Sequence, residues 1–355
     1  MLRKSIFWIG SLVVVGLVSI GTLPAQAETA RRSTSAKRSS SAASSARKKV
    51  VAKPVRKVSS RQRSAMARAV ATAREMADTV TPRYKVDASG DLVPDLRAAA
   101  AIIYNPITNE VLWEENSQDQ RSIASITKVM TATVFLENNP DLTEKVQIVR
   151  SDVFQASTTK LRLYDKVTTD DLLHLLLIAS DNAAARALAR VSPYGSVGFI
   201  RRMNEKAAEL GLESTHYADP SGLLSDNVSS AFDMARLITN ASNDERISAV
   251  MRMPEYTVHT PKRDIVFRST NHLLGRQDLE VRAGKTGFIS KAGYCLATLL
   301  RLPQSGQEVA VVVLGARSNA ARFMETRNLF NWLSAKATTV FATSRPLGLT
   351  NQQQQ

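Results

Sequence analysis

The chain has 355 residues, 44% of them hydrophobic, enough to bury the core of one large domain or two smaller ones. Its formal charge of +15 sits entirely in the first 74 residues, where 16 Lys/Arg face one acid; the remaining residues carry 31 of each sign. The basic excess therefore does not belong to the folded part. A single cysteine, Cys295, excludes an intramolecular disulfide, and His174, His216, His259 and His272 lack the spacing of a zinc site.

In chain order, residues 1–27 read as a secretory signal. Arg3 and Lys4 give the positive start, 6–20 the apolar run, and Pro24-Ala25-Gln26-Ala27 a small-x-small cleavage site. An uncleaved anchor is the other reading, but Gly10, Ser11, Gly16 and Ser19 interrupt its apolar run. No later segment approaches the ~20 apolar residues of a membrane helix. The expectation is an exported protein, soluble after cleavage and periplasmic or otherwise extracytoplasmic. Residues 28–85 are rich in Ser, Ala, Lys and Arg, and too poor in large apolar residues to offset their ordering entropy. Disorder is expected there, with at most a transient helix over 64–77. This segment either tethers the protein to an anionic wall polymer or membrane surface, or is a solvated spacer. Nucleic acid is not expected as a partner of an exported chain.

A folded domain is expected over 86–335, ordered from about Pro94, with a short tail at 336–355. Residues 98–104 read as a strand, Asn105-Pro106 as a turn and 110–113 as the returning strand. Ser125 opens a helical run, apolar on nearly every side, that closes at Asn138-Asn139-Pro140. Thr168-Thr169-Asp170-Asp171 caps a helix over 172–178. Helices over 183–189 and 196–210 follow, then strands at 280–287, 292–302 and 308–314, the last two joined at Pro303-Gln304-Ser305-Gly306. A final helix spans 320–333. A strand pair, a helical middle, more strands and a helix imply an α+β fold, an antiparallel sheet flanked by helices.

Three short motifs occur in order: Ser125-Ile126-Thr127-Lys128, Ser180-Asp181-Asn182 and Lys285-Thr286-Gly287. They match the S-x-x-K, S-D-N and K-T-G set of active-site serine penicillin-binding proteins and β-lactamases. The first pattern also occurs at Ser45 to Lys48 and Ser157 to Lys160, and the second at Ser225-Asp226-Asn227. Context selects among them. Ser45 lies in the low-complexity segment, Ser157 precedes a short mixed stretch, and Ser225 follows the turn-rich Asp219-Pro220-Ser221-Gly222, which reads as a surface loop. Ser125 alone opens a buried helix, where i, i+3 spacing sets Ser125 and Lys128 on one face.

A serine hydroxyl needs an adjacent base, and in the absence of a His/Asp pair neutral Lys128 is the candidate. That requires its pKa to fall by roughly 3 units, or about 4 kcal/mol. Lys285, as a second cation ~4 Å away, is expected to supply about that much, with burial adding to it. Ser180 would relay a proton to the leaving amine, and Asn182 would bind the substrate backbone unless it merely caps its helix. Lys285 and Thr286, with Gly287, would receive the substrate carboxylate. The backbone amides of Ser125 and Phe288 would form the oxyanion hole.

With these motifs, Ala218-Asp219-Pro220-Ser221-Gly222-Leu223, Asn271-His272-Leu273 and the run from Lys285 through Cys295 resemble the low-molecular-mass penicillin-binding proteins, the D-alanyl-D-alanine carboxypeptidases and endopeptidases. The likeness covers roughly 95–335. It implies the penicilloyl-serine transferase fold, action on peptidoglycan peptides, and covalent inhibition by β-lactam antibiotics, with no cofactor and no metal. The residues after Trp332 show no pattern of the β domain and amphipathic helix that carboxypeptidases of the family often carry. That favours the endopeptidase branch, with carboxypeptidase as the alternative. Two rivals remain: a β-lactamase, for which no E-x-x-L-N stretch lies between Asn182 and Lys285, and a non-catalytic wall-binding protein, against which the intact motifs argue.

Overall fold

The computed structural model describes residues 59–343. The signal-like stretch 1–27, the basic residues up to 58 and the last residues of the tail lie outside them.

At the centre is a five-stranded sheet: β1 (Ala100–Asn105), β2 (Glu110–Glu115), β3 (Glu280–Ile289), β4 (Gly293–Arg301) and β5 (Glu308–Ala316). Its spatial order is β3-β4-β5-β1-β2, and every neighbouring pair is antiparallel. Successive side chains of a strand point to opposite faces. In β5, Ala310, Val312 and Leu314 enter one core while Val309, Val311 and Val313 enter the other. Both faces are therefore covered, which is why the strand reads as an unbroken apolar run and not as an alternation.

On one face lie the buried α2 (Thr127–Leu136), α3 (Thr169–Leu177), α4 (Asn182–Val191), α5 (Gly195–Glu209), α6 (Ala231–Ser242) and α7 (Glu245–Met251), preceded in the chain by an exposed α1 (Ser60–Val80). The C-terminal α8 (Asn319–Thr343) supplies Phe323, Leu329, Phe330 and Leu333 to the opposite face. The cap expected for α3 is present as a reciprocal box: Thr168 Oγ1 accepts from Asp171 N–H at 3.0 Å, and Asp171 Oδ2 accepts from Thr168 N–H at 3.0 Å. No described helix is long and apolar enough to cross a membrane.

Three expectations are corrected. The segment 28–85 was expected to be disordered, yet its described part carries α1, started by a capping box between Ser59 and Gln62. An Ala- and Arg-rich run has enough intrinsic helix propensity to need little apolar face once it is capped. Ordered structure precedes Pro94, because Tyr84–Val86 pairs with Leu92–Pro94. At the other end, α8 continues past 335 into the expected tail.

Candidate active site

Ser125 does not open α2 itself. It sits in a single 3-10 turn, Ala124–Ile126, that runs directly into α2. Ala124 is held at φ +49°, a conformation a residue with a Cβ rarely adopts, and such strain persists only where the surroundings over-determine it. Two glycines provide those surroundings. A Cβ on Gly222 would lie 2.0 Å from the Ala124 carbonyl oxygen, and one on Gly287 2.6 Å from that of Ile123. Backbone from the Asp219 loop and from β3 thus closes on the Ser125 turn from two sides, at distances only glycine permits.

Lys128, one turn along, is fully buried. Its Nζ has three neighbours: Ser125 Oγ at 2.9 Å, Asn182 Oδ1 at 2.7 Å and the Ser221 carbonyl oxygen at 2.5 Å. The orientation of Asn182 is set by its Nδ2, which donates to the Ala156 carbonyl at 2.7 Å, so Oδ1 faces the lysine. Two of the three neighbours can only accept. A neutral amine has two N–H groups and one lone pair. The two acceptors take both hydrogens, and the lone pair is left facing the Ser125 hydroxyl.

Burial lowers the Lys128 pKa to about 7; Asp219 and Asp181 oppose the fall, and Arg186 adds to it. The source of this shift differs from the one expected. Lys285 was to be the second cation that lowered Lys128, but removal from water is the main cause. The repulsion between the two lysines is expressed on Lys285, held well below its ordinary value by burial, then by Lys128 and Arg322.

Ser180 lies in the short connection between α3 and α4, at φ +58° and nearly buried. Its Oγ accepts from Lys285 Nζ at 2.8 Å, and the same Nζ donates to the Thr286 carbonyl at 3.0 Å. The cap of α4 is not Asn182 but Asp181, whose carboxylate accepts from Ala184 N–H at 3.0 Å and Lys160 N–H at 2.6 Å. Asn182 is thereby free to hold Lys128. Ser125, Ser180, Asn182, Thr286, Gly287 and Phe288 line one open cleft of about 480 Å³ between the helices and the sheet. β3 forms its other wall as the outermost strand of the sheet. Among the described residues lining the cleft there is no carboxylate.

Several contributors carry no recognisable local signal. Arg322 of α8 is buried, donates through Nη1 to the Gly287 carbonyl at 3.0 Å and the Cys295 carbonyl at 3.2 Å, and borders the cleft. Burial lowers its pKa to about 10. Thr270 Oγ1 lies 2.6 Å from Thr286 Oγ1. The rejected motif copies also have places. Ser157 stands on the rim, its Oγ accepting from Asn182 Nδ2 at 3.2 Å. In the second S-D-N copy, Ser225 and Asp226 are exposed as a surface loop requires, but Asn227 is fully buried and bonded to Asp219. The carboxylate of Asp219 gives that asparagine an internal partner.

Residues 87–318 match the family described as D-alanyl-D-alanine carboxypeptidase. A D-alanyl-D-alanine endopeptidase of Pseudomonas aeruginosa is 34% identical over 252 residues, covering 70% of this chain and 81% of that protein. The Streptomyces K15 DD-transpeptidase structure superposes with a TM-score of 0.64 at 29% identity, covering 68% of this chain and 98% of that one. Penicillin-binding protein D2 of Listeria monocytogenes, in a cefotaxime-bound form, does so with a TM-score of 0.59 at 31% identity, covering 67% and 97%.

Proposed function

Because the chain belongs to the D-alanyl-D-alanine carboxypeptidase family of serine peptidases, we propose that it hydrolyses D-alanyl peptide cross-links of bacterial peptidoglycan through an acyl-enzyme on Ser125. The observation that carries the mechanism is the Lys128 amine 2.9 Å from Ser125 Oγ, its two other neighbours being groups that can only accept. The substrate strand lies along the free edge of β3, as peptides add to exposed sheet edges. Ser125 Oγ attacks the D-alanyl carbonyl carbon while Lys128 takes its proton. The backbone amides of Ser125 and Phe288 receive the developing oxyanion, and the proton taken by Lys128 passes through the Ser180 hydroxyl, held by Lys285, to the leaving amine as the C–N bond breaks, which resets Lys128 as base. Thr286 and Thr270, with Arg322 behind them, form the pole that attracts the substrate carboxylate. Water then releases the acyl group.

The endopeptidase reading draws on the Pseudomonas relative, and trimming of stem peptides, the carboxypeptidase reaction, is the second reading because the family description carries that name. β-Lactams acylate the same serine, and among the described residues lining the cleft no carboxylate is placed to speed their hydrolysis as in a β-lactamase. The chain acts outside the cytoplasm after removal of residues 1–27, and its basic N-terminal segment is either a tether to an anionic wall polymer or membrane surface or a solvated spacer.

Intact-mass analysis after penicillin exposure, with peptide mapping, tests the nucleophile. One lasting adduct on Ser125 is the expected result; penicillin consumed without an adduct would make the chain a β-lactamase. Purified cross-linked muropeptides then separate the two peptidase readings by their products.

A further inference from the structure

Ser221 offers its carbonyl oxygen to Lys128 Nζ, and that carbonyl belongs to a turn wound around one carboxylate. Asp219 Oδ1 accepts from Ser221 N–H at 2.6 Å, Ser221 Oγ–H at 2.6 Å and Gly222 N–H at 2.8 Å. Its Oδ2 accepts from Leu224 N–H at 2.7 Å and Asn227 Nδ2–H at 2.8 Å. Asn227 is in turn clamped: its Oδ1 accepts from Ala218 N–H at 3.2 Å, and its backbone carbonyl accepts from Ile123 N–H at 3.1 Å, just before the nucleophile turn. Five donors converge on one carboxylate, far more than a turn needs in order to close. The product of this network is the direction of the Ser221 carbonyl.

We propose that Asp219, held by Asn227, is a positioning residue for the acylation step: it aims the Ser221 carbonyl at Lys128 so that the lysine lone pair faces Ser125.

The groups facing Lys128 come from three elements. Asp219 from the loop and Asp181 from the start of α4 favour the ammonium; Arg186 of α4 opposes it, and Lys285 of β3 is itself lowered by Lys128. Burial alone would raise the pKa of Asp219, but its bonds from Ser221, Leu224 and Asn227 hold it below the usual range, so its charge persists throughout the working pH. Without that charge, Lys128 loses its proton at lower pH. Without the aim, fewer molecules hold the lone pair in line, and a misplacement of about 1 Å costs on the order of 100-fold.

This inference rests on Ser125 and Lys128 acting as nucleophile and base, and the test separates the two claims. The rate of penicillin acylation of Ser125 is followed from pH 5 to 9 for wild type, Asp219→Asn and Ser221→Ala, with the fold checked by thermal melting. Wild type is expected to show an acid limb near pH 7; its absence refutes the nucleophile and base assignment. Asp219→Asn is expected to move that limb to lower pH by half a unit or more, and to lower the plateau roughly 10- to 100-fold. Ser221→Ala removes one of the five bonds, keeps the charge and the fold, and is expected to lower the plateau about threefold without moving the limb. A folded Asp219→Asn whose acid limb stays in place overturns the proposal. If that variant does not fold, wild-type acylation by Ser221→Ala overturns it.

Discussion

Two serine–lysine pairs with the same spacing stand on either side of one asparagine. Ser125 and Lys128 lie on its Oδ1 side, and Ser157, the head of the copy ending at Lys160, bonds its Nδ2. In the first pair the lysine is fully buried and its amine meets the serine; in the second the lysine is exposed, and its backbone N–H and carbonyl bond Asp181 and Arg263. Burial removes the water that stabilises an ammonium and so lowers the pKa of a lysine, whereas exposure leaves that water in place. The pattern S-x-x-K is therefore chemically silent by itself. Burial and the acceptors placed around the amine set one copy apart as the proposed nucleophile and base.

Substitutions in the two pairs test the difference between them. Ser125→Ala is expected to abolish the penicillin adduct, a loss of at least about 10⁴-fold in acylation. Ser157→Ala loses one rim hydrogen bond and is expected to change the rate by no more than about fivefold. An equal loss from both would place the nucleophile elsewhere. Lys128→Ala is expected to slow acylation by about 10² to 10⁴-fold, as loss of a general base does, and to remove the acid limb of the rate profile. Lys160→Ala should stay within about twofold, since its backbone contacts are kept. Gly222→Ala probes the close approach that supports the first pair. With φ +76° and a Cβ 2.0 Å from backbone oxygen, it is expected to cost about 3 kcal/mol or more of stability, read from urea unfolding. A neutral outcome would mean that the turn yields easily.

How far this could be read from the sequence follows from the same contrast. The strands of the sheet and the capping box at Thr168 were legible because period, turn residues and cap chemistry are local. The three motifs were legible as well, and their neighbours chose among the copies. Arg322 was not, because its role comes from α8 packing on β4 and β5, from where its side chain reaches the Gly287 carbonyl of β3, and nothing around Ala321 or Phe323 marks that reach. Asn227 was read as part of a surface loop because Asp219, which buries it, is bonded across a turn. The hairpin of Glu255–His259 with Asp264–Arg268 also escaped notice, its short strands broken by charge. The cause of the Lys128 shift is not legible either, because charges are countable in a sequence and solvent exclusion is not.

A smaller effect distinguishes a buried lysine from an exposed one through stability. The folded-state pKa of Lys128 is about 7 against an ordinary 10.5, so between those values the unfolded chain binds more protons than the folded one. Its burial penalty is complete below pH 7 and is relieved as the pH rises toward 10.5. Relative to Lys128→Met, the wild type is therefore expected to gain stability between pH 7 and 9. A parallel pair of profiles would mean that the lysine titrates alike in both states.

The most direct test is to titrate Lys128 itself. In protein labelled with ¹³C at the lysine ε-carbons, the resonance lost in Lys128→Arg identifies the residue, and its shift is followed from pH 5 to 11. A midpoint near 7 is expected, well separated from the exposed lysines. A midpoint above 10, among the exposed lysines, would mean that the amine beside Ser125 is an ammonium at working pH and cannot be its base.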